Sequence, residues 1–341
     1  MLKFGVIGCG MGKAHMKGVL ANPEAALVAI CDTNLEKAEK TAADLEVKDS
    51  ARIYECYKEM IEKEELDAAI VATPDGTHRE IVVDLLEAGI HVMCEKPMAL
   101  TLEDCRAMIA AEKKTGKKLM IGQICRYTPG FKLAKALIDG GAIGDLFYVE
   151  SEYAHDYMHM GTNHWRVDPA RHPIVGGGCH AVDLVRWIAG NPIEVTAYEN
   201  HKLLPEWPIN DCTIGILKFP NDVIGKVFCS IGCKRPYTMR SQFFGTKGTI
   251  LCDNTSRELT LFQPEVDEKG NEIHGGGTPR KIVVDINNHN ATAEIAEFID
   301  ILLTGKEVRT TGFEGAATVS ACLAMVESAR EGKPVTVDYN F

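Results

Sequence analysis

A short apolar run, Phe4-Gly5-Val6-Ile7, leads directly into Gly8-Cys9-Gly10-Met11-Gly12, and a helical pattern follows over residues 15–21. A strand, a glycine turn and a helix in that order are compatible with few folds. Glycines permit a tight turn and let the backbone approach a bound group closely. The helix behind them offers unpaired N–H groups and the positive end of its dipole, a ready site for a pyrophosphate. The common dinucleotide spacing, G-x-G-x-x-G, would put its third glycine at position 13. That position is Lys13, and Gly12 precedes it, so the turn is one residue short of the common form.

The same unit repeats down the first third of the chain. Candidate strands at 27–31, 51–53, 68–72, 90–94 and 119–122 alternate with helical stretches at 35–45, 78–88 and 102–115. Such alternation predicts a parallel sheet covered on both faces. The unbroken apolar run Ala68-Ala69-Ile70-Val71-Ala72 fits a strand buried on both sides. From about Phe147 the pattern changes. Strand-like runs follow one another at 147–157, 193–204, 212–219, 223–229, 238–244, 249–251, 259–262 and 282–285, with helices at 182–189, 290–303 and 313–330. The fold class expected is α/β. A Rossmann domain, doubly wound on a parallel sheet, spans 1–123. An α+β domain with a large, open, mainly antiparallel sheet spans 124–341, and a C-terminal segment of it is free to pack back on the first. Residues 264–280, with Gly275-Gly276-Gly277, read as a flexible excursion.

Charge narrows the function classes. The formal net charge of −11 argues against a nucleic-acid partner, because phosphate binding needs a basic face. No apolar run approaches the length of a membrane span. The chain opens directly into a strand, so no signal peptide is expected. Twelve cysteines form no C-x-x-C pair, and most fall in apolar segments. They read as small buried hydrophobes in a reducing cytoplasm. Cys229 and Cys233 stand four apart without further ligands to complete a zinc set, and no metal is expected.

Asp32 ends the second candidate strand, 22 residues after Gly10. A carboxylate there accepts hydrogen bonds from both ribose hydroxyls and repels a 2′-phosphate, which favours NAD over NADP. The plain alternative is a cap on the next helix. Thr73-Pro74-Asp75-Gly76-Thr77-His78 follows the strand at 68–72, where loops border a cofactor crevice. Its residues Thr73, Pro74 and His78 also suit a plain turn and helix start. Glu95-Lys96-Pro97 ends the run Gly89-Ile90-His91-Val92-Met93-Cys94. A lysine just past a buried strand, held by a proline, is placed to reach into a cleft. Glu95 either holds Lys96 or faces solvent.

These segments, taken in order, resemble the glucose-fructose oxidoreductase / inositol dehydrogenase (Gfo/Idh/MocA) family of NAD(P)-dependent oxidoreductases. The likeness covers nearly the whole chain. It rests on the glycine turn (Gly8, Gly10, Met11, Gly12), Ala72-Thr73-Pro74 before His78, Glu95-Lys96-Pro97, Arg126-Tyr127 with Pro129, and Leu137-Ile138-Asp139-Gly140-Gly141-Ala142-Ile143-Gly144. It continues through Trp165-Arg166, Gly176-Gly177-Gly178 and His180-Ala181-Val182-Asp183. The resemblance implies sugar, glycoside or polyol substrates and a homo-oligomer, dimer or tetramer, formed through the open sheet. It implies that Lys96 hydrogen-bonds the reacting hydroxyl, that His180 accepts its proton, and that Asp183 belongs to the same site. One departure stands out: many members carry an aspartate four residues before the histidine, and here that position is Gly176.

The expected chemistry is hydride transfer between NAD and a secondary hydroxyl or ketone. A base near the working pH takes the hydroxyl proton, and an ammonium steadies developing alkoxide charge. Asp183 could orient His180 or pair locally. The stretch holding His155, Tyr157, His159, His164, Trp165, Arg166 and His172 suggests a sugar-binding wall, with surface histidines as the plain alternative. Arg126 and Tyr127 either contact cofactor or substrate or brace the domain junction. Two rivals remain: redox-neutral glycoside cleavage or isomerisation through transient oxidation by retained NAD, and a dinucleotide-sensing protein without catalysis.

Overall fold

The computed structural model describes residues 1–273, 277 and 279–341. The chain divides into two compact units. One comprises Met1–Ile124, Asn290–Val319 and Asn340–Phe341; the other comprises Cys125–His289 and Ser320–Tyr339.

In the first unit, strands β1 (Leu2–Ile7), β2 (Ala25–Cys31), β3 (Arg52–Tyr54), β4 (Ala68–Val71), β5 (His91–Glu95) and β6 (Leu119–Gly122) form one sheet in the order β3-β2-β1-β4-β5-β6. Every neighbouring pair is parallel. Helices α1 (Gly12–Leu20), α2 (Leu35–Asp44), α3 (Tyr57–Lys63), α4 (His78–Glu87) and α5 (Leu102–Thr115) fill the crossovers. All four residues of β4 are buried, as a strand covered on both faces demands. Sequence chemistry sets the helix ends. Asn34 and Thr101 cap α2 and α5 by accepting the N–H of Lys37 and Asp104, and Gly116 ends α5 at φ +68. The strand order reverses between β1 and β4, and ligands of such sheets bind outside the carboxyl ends at that point. The α/β expectation holds, although α3 falls in a polar stretch with no expected element.

In the second unit, α6 (Pro129–Asp139) precedes β7 (Leu146–Ala154), and α7 (Pro173–Gly176) and α8 (Cys179–Ala189) precede β8 (Glu194–Asn200). Then come β9 (Cys212–Lys218), β10 (Ile224–Ser230), β11 (Arg240–Gly245), β12 (Gly248–Asp253), β13 (Glu258–Phe262), β14 (Glu265–Val266), β15 (Glu272–Ile273) and β16 (Arg280–Val283). All of these strands except β14 and β15 join β17 (Val335–Thr336) in a nine-stranded sheet, β16-β13-β12-β11-β7-β10-β9-β8-β17. It is antiparallel except between β7 and β10. Along β9, Thr213, Gly215 and Leu217 point into the core while Ile214, Ile216 and Lys218 point out. Helix α8 packs on β7 and β10, and α6 packs on β12. The excursion expected at 264–280 is in part a small hairpin of β14 and β15; residues 274–276 and 278, with two of its three glycines, lie outside the described residues.

Helix α9 (Ala291–Thr304) belongs to the first unit and lies on α1. The close approach needs Gly18, where a Cβ would sit 3.0 Å from Ile295. Phe298 of α9 meets Phe4 edge-on, with centroids 6.2 Å apart. Helix α10 (Gly312–Glu331) begins in the first unit and ends in the second.

Candidate active site

The turn after β1 is shaped by two glycines with different duties. Gly8 has φ +93, and a Cβ there would stand 2.3 Å from the carbonyl oxygen of Ala72. Only glycine lets the loops after β1 and β4 come this close. A Cβ on Gly10 would meet nothing within 4 Å, so that position keeps open space over the turn. Gly12 opens α1 and packs against Val6, where a Cβ would lie 3.0 Å away. Met11 at the N-cap makes no side-chain cap. The first N–H groups of α1 thus have no side-chain acceptor, which suits a phosphate.

Asp32 closes this crevice. Its carboxylate accepts from the N–H of Cys9 at 2.8 Å, the N–H of Asn34 at 3.0 Å and the ammonium of Lys37 at 3.2 Å. Burial works against its charge, but these three donors outweigh burial and hold its pKa below the ordinary carboxylate value. Asp32 is therefore an anion tied to the turn itself. The cap on α2 comes from Asn34 instead. The residues fit a dinucleotide: an open glycine, uncapped helix N–H groups and a fixed carboxylate at the switch point.

Lys96 follows β5, beside a buried polar group of unusual composition. Glu95 is 5% exposed and does not face solvent. It accepts from His15 Nε2 at 2.7 Å and from the Lys96 N–H at 3.1 Å. Burial opposes its charge, yet His15 and Lys96 prevail and draw its pKa down to about 2. Glu294, from α9, is fully buried, and neither of its carboxylate oxygens has a hydrogen-bond partner among the described residues. Burial and the nearby charges of Glu95 and Glu297 push its pKa well above the ordinary value, against a smaller opposing effect of Lys96. His78 is also fully buried, with its two ring nitrogens 3.0 Å from the carbonyl oxygens of Pro97 and Thr73. It braces the Thr73-Pro74 loop against the Lys96-Pro97 segment.

In the second unit, His180 sits in the first turn of α8, 3% exposed. Its Nδ1 lies 3.2 Å from Cys125 Sγ. The Tyr153 ring stacks on it at 6.0 Å and the His289 ring at 5.6 Å. Around this stack gather His155, Tyr157 and Tyr237: Tyr153 Oη lies 2.8 Å from Tyr157 Oη and 3.1 Å from His155 Nδ1, and Tyr237 Oη lies 3.4 Å from His289 Nε2. Burial, then Arg166, lowers the pKa of His155 to about 4. This ring is neutral at ordinary pH. Cys125, Tyr153, Tyr237 and His289 had no assignment from sequence. Single residues scattered over 165 positions carry no spacing signal.

Asp183 and Arg126 form a buried fork. Arg126 Nε donates to Asp183 Oδ2 at 2.8 Å and Nη2 to Oδ1 at 2.6 Å. The Arg126 guanidinium also lies 5.7 Å from the Trp187 ring centre. Tyr127 is buried beside it in the chain. The glycine triplet has a packing role. A Cβ on Gly176 would come within 2.2 Å of the Arg171 guanidinium, which donates to the Gly176 carbonyl at 2.9 Å. A Cβ on Gly177 would strike the Tyr153 ring at 2.7 Å, and one on Gly178 would strike Ile174 at 2.6 Å. These glycines admit neighbouring side chains, where sequence suggests room for a ligand. A cation thus stands beside Gly176, the position where the resemblance leads one to expect an aspartate. Trp165 is flanked by Arg166 at 4.4 Å and Arg171 at 4.8 Å from its ring centre. That arrangement differs from a bare aromatic wall for a sugar.

Residues 2–123 match the family profile described as an oxidoreductase family with an NAD-binding Rossmann fold, and residues 131–251 match the GFO/IDH/MocA C-terminal domain. The chain is 30% identical to inositol 2-dehydrogenase 2 of Saccharopolyspora erythraea over 99% of its length and 96% of that protein. It is 27% identical to myo-inositol 2-dehydrogenase of Thermotoga maritima, covering 99% of each. A levoglucosan dehydrogenase solved with NADH superposes with a TM-score of 0.89 at 24% identity over 99% of both chains, a likeness of fold.

Proposed function

The chain belongs to the Gfo/Idh/MocA family of NAD-dependent oxidoreductases, and from that premise we propose that it oxidises a secondary hydroxyl of a cyclic polyol, sugar or glycoside. The observation that carries the reading lies in the first unit. A dinucleotide turn stands at the switch point between β1 and β4, and Lys96 is fixed at the carboxyl end of β5, next to β4 in the sheet. The names of the relatives support an inositol or a similar ring as substrate class.

Bound NAD supplies the hydride acceptor. The chain's own residues then have three tasks. Gly8, Gly10, Met11 and Gly12 with the first turn of α1 take the pyrophosphate, Asp32 takes the ribose hydroxyls, and Thr73 and Pro74 border the crevice, braced by His78. Lys96 donates to the reacting hydroxyl, and its charge favours developing alkoxide over neutral carbinol. His180 belongs to the relay that receives the hydroxyl proton. Asp183, on the same helix and locked to Arg126, is a positioning residue. His155, Tyr157, Trp165 and Arg166, with Arg126 and Tyr127, contribute to the substrate side. As the hydride leaves carbon and the proton leaves oxygen, a ketone remains.

Among the described residues, no helix is long and apolar enough to cross a membrane. Twelve thiols suit a reducing cytoplasm. The outward face of the β8–β9–β10 sheet region supports a homo-oligomer.

A panel of inositols, monosaccharides and glycosides, followed by NADH absorbance with NAD and with NADP, tests the reading. NAD-linked oxidation of a ring polyol or sugar is expected, and Lys96→Met should keep NADH binding while turnover falls about 10²–10³-fold. Normal turnover in that variant would remove Lys96 from the chemistry. Product from a glycoside with retained NAD and no net NADH would replace dehydrogenation by the redox-neutral route.

A further inference from the structure

We propose that Cys125, His180 and His289 form a binding site for one divalent transition-metal ion of the zinc class. The three come from separate segments of the second unit: the 3-10 turn Ile124–Tyr127, the first turn of α8, and the chain just before α9. Their donor atoms all lie within 4.8 Å of one another, and Cys125 Sγ is 3.2 Å from His180 Nδ1. A tetrahedral zinc ion with one thiolate and two imidazole ligands separates those atoms by about 3.3–3.6 Å. Shifts on the order of 1 Å therefore close the set. No motif spacing announces it, which is why the sequence reading expects no metal.

Donor chemistry selects the ion. One sulfur and two imidazole nitrogens suit zinc and its neighbours in the first transition row, and do not suit magnesium or calcium, which take oxygen ligands. The thiol already in contact with an imidazole gives up its proton when the ion enters, so binding releases one proton. The rings are held from outside. Tyr153 stacks on His180, and Tyr237 Oη stands 3.4 Å from His289 Nε2. Such outer partners fix ring orientation at metal sites. Cys125 and His180 are buried, whereas His289 is only partly so. Three protein ligands leave a fourth position for an oxygen, the pattern of catalytic rather than structural zinc.

The site rests on the proposed function for what fills that fourth position, namely a carbinol oxygen. An ion held there by Cys125, His180 and His289 would supply Lewis-acid polarisation of that oxygen and so ease loss of the hydroxyl proton during oxidation. His180 would then act on the hydroxyl through the ion it holds, in place of taking the proton on the coordinating nitrogen.

The test begins with full-length protein freed of metal by a chelator and titrated with Zn(II) by calorimetry, and with Co(II) by absorbance. One equivalent per chain is expected, with a thiolate-to-cobalt charge-transfer band. Cys125→Ser and His289→Ala should abolish the band and weaken zinc binding by more than the about 10–100-fold that loss of an outer partner brings. Circular dichroism and NADH binding of both variants establish that they are folded. Absence of stoichiometric uptake by the parent protein, or equal uptake by the two folded variants, overturns the site. The polyol panel separates the two readings. Zinc bound as described with no polyol oxidised leaves the metal site standing and removes the proposed substrate. Polyol oxidation by a protein that takes up no zinc does the reverse.

Discussion

The most consequential side chain that the sequence left unassigned is Glu294. Its carboxylate is fully buried without a hydrogen-bond partner among the described residues, near Glu95 and Lys96. A buried acid in that setting stays protonated, because ionising it would add a second negative charge beside Glu95 in a medium that solvates neither. Its folded pKa lies above its unfolded one, so the native state binds the proton more tightly. Stability from this group is complete below about pH 4.5 and declines as pH rises toward the folded pKa. Glu294→Gln, neutral at every pH, should erase that decline. Melting curves from pH 5 to 9 check it: parallel temperature profiles for the parent and the variant would refute a raised affinity at Glu294. The Arg126–Asp183 fork offers a second test. Both partners are under a tenth exposed. Asp183→Ala strands a buried guanidinium and should cost about 3–5 kcal/mol by urea unfolding, whereas Arg126→Met with Asp183→Leu should recover most of it. If the double variant is as unstable as the single one, the fork is not what holds that region. Sequence could name Asp183 and leave its partner open, since 57 residues separate it from Arg126. Glu95 was undecidable for the same reason, because His15 lies 80 residues away.

At the level of elements, legibility followed periodicity. β4, α5 and β6 were visible because continuous apolar runs, a capping threonine and a closing glycine each have a local cause. α6 escaped notice although Pro129 stands at its first turn and Phe131 and Ala134 face the core. The glycines just after it, Gly140 and Gly141, make that stretch look like a turn. The glycine triplet misled in the opposite direction, because glycine in sequence announces room and cannot say whose side chain uses it. Gly8 is the clearest case of a glycine whose duty was readable, and it carries a prediction for the turn as an element. Gly8→Ala places a methyl 2.3 Å from the Ala72 carbonyl at φ +93, so the loops after β1 and β4 must separate. NADH affinity should fall at least about tenfold by fluorescence titration, while Gly10→Ala, whose Cβ meets only open space in the chain, should impair binding solely through contact with the cofactor. Unchanged affinity in Gly8→Ala would mean that the turn does not bind the dinucleotide.

For the whole molecule, the composition and the switch from strand–helix alternation to successive strands made the two-part architecture readable, and the family resemblance added the idea that the open sheet meets another copy. The physical case for that surface lies in its outward residues. On β8, β9 and β10, Tyr198 is 72% exposed, Ile216 47% and Ile224 52%. In the ladder Tyr198 stands across from Ile214 and Ile214 across from Phe228, while Ile216 lies between Thr196 and Lys226, and Ile224 between Lys218 and Tyr148. Exposed apolar side chains interleaved with lysines on a strand ladder favour association with a complementary surface, and a second copy offers the same one. Ile216 is the residue to change. It points away from the core, so Ile216→Glu should cost the isolated chain little stability while placing a charge in the middle of the patch. Light scattering should find the parent protein as a dimer or tetramer and the variant shifted toward monomer, with its melting temperature lowered only by the loss of the interface. A monomeric parent, or an oligomer indifferent to that charge, would assign the exposed face some other role. The distinction bears on the chemistry as well. If the variant becomes monomeric yet turns over a polyol at the parental rate per chain, each chain carries a complete site, and the sheet contributes only assembly.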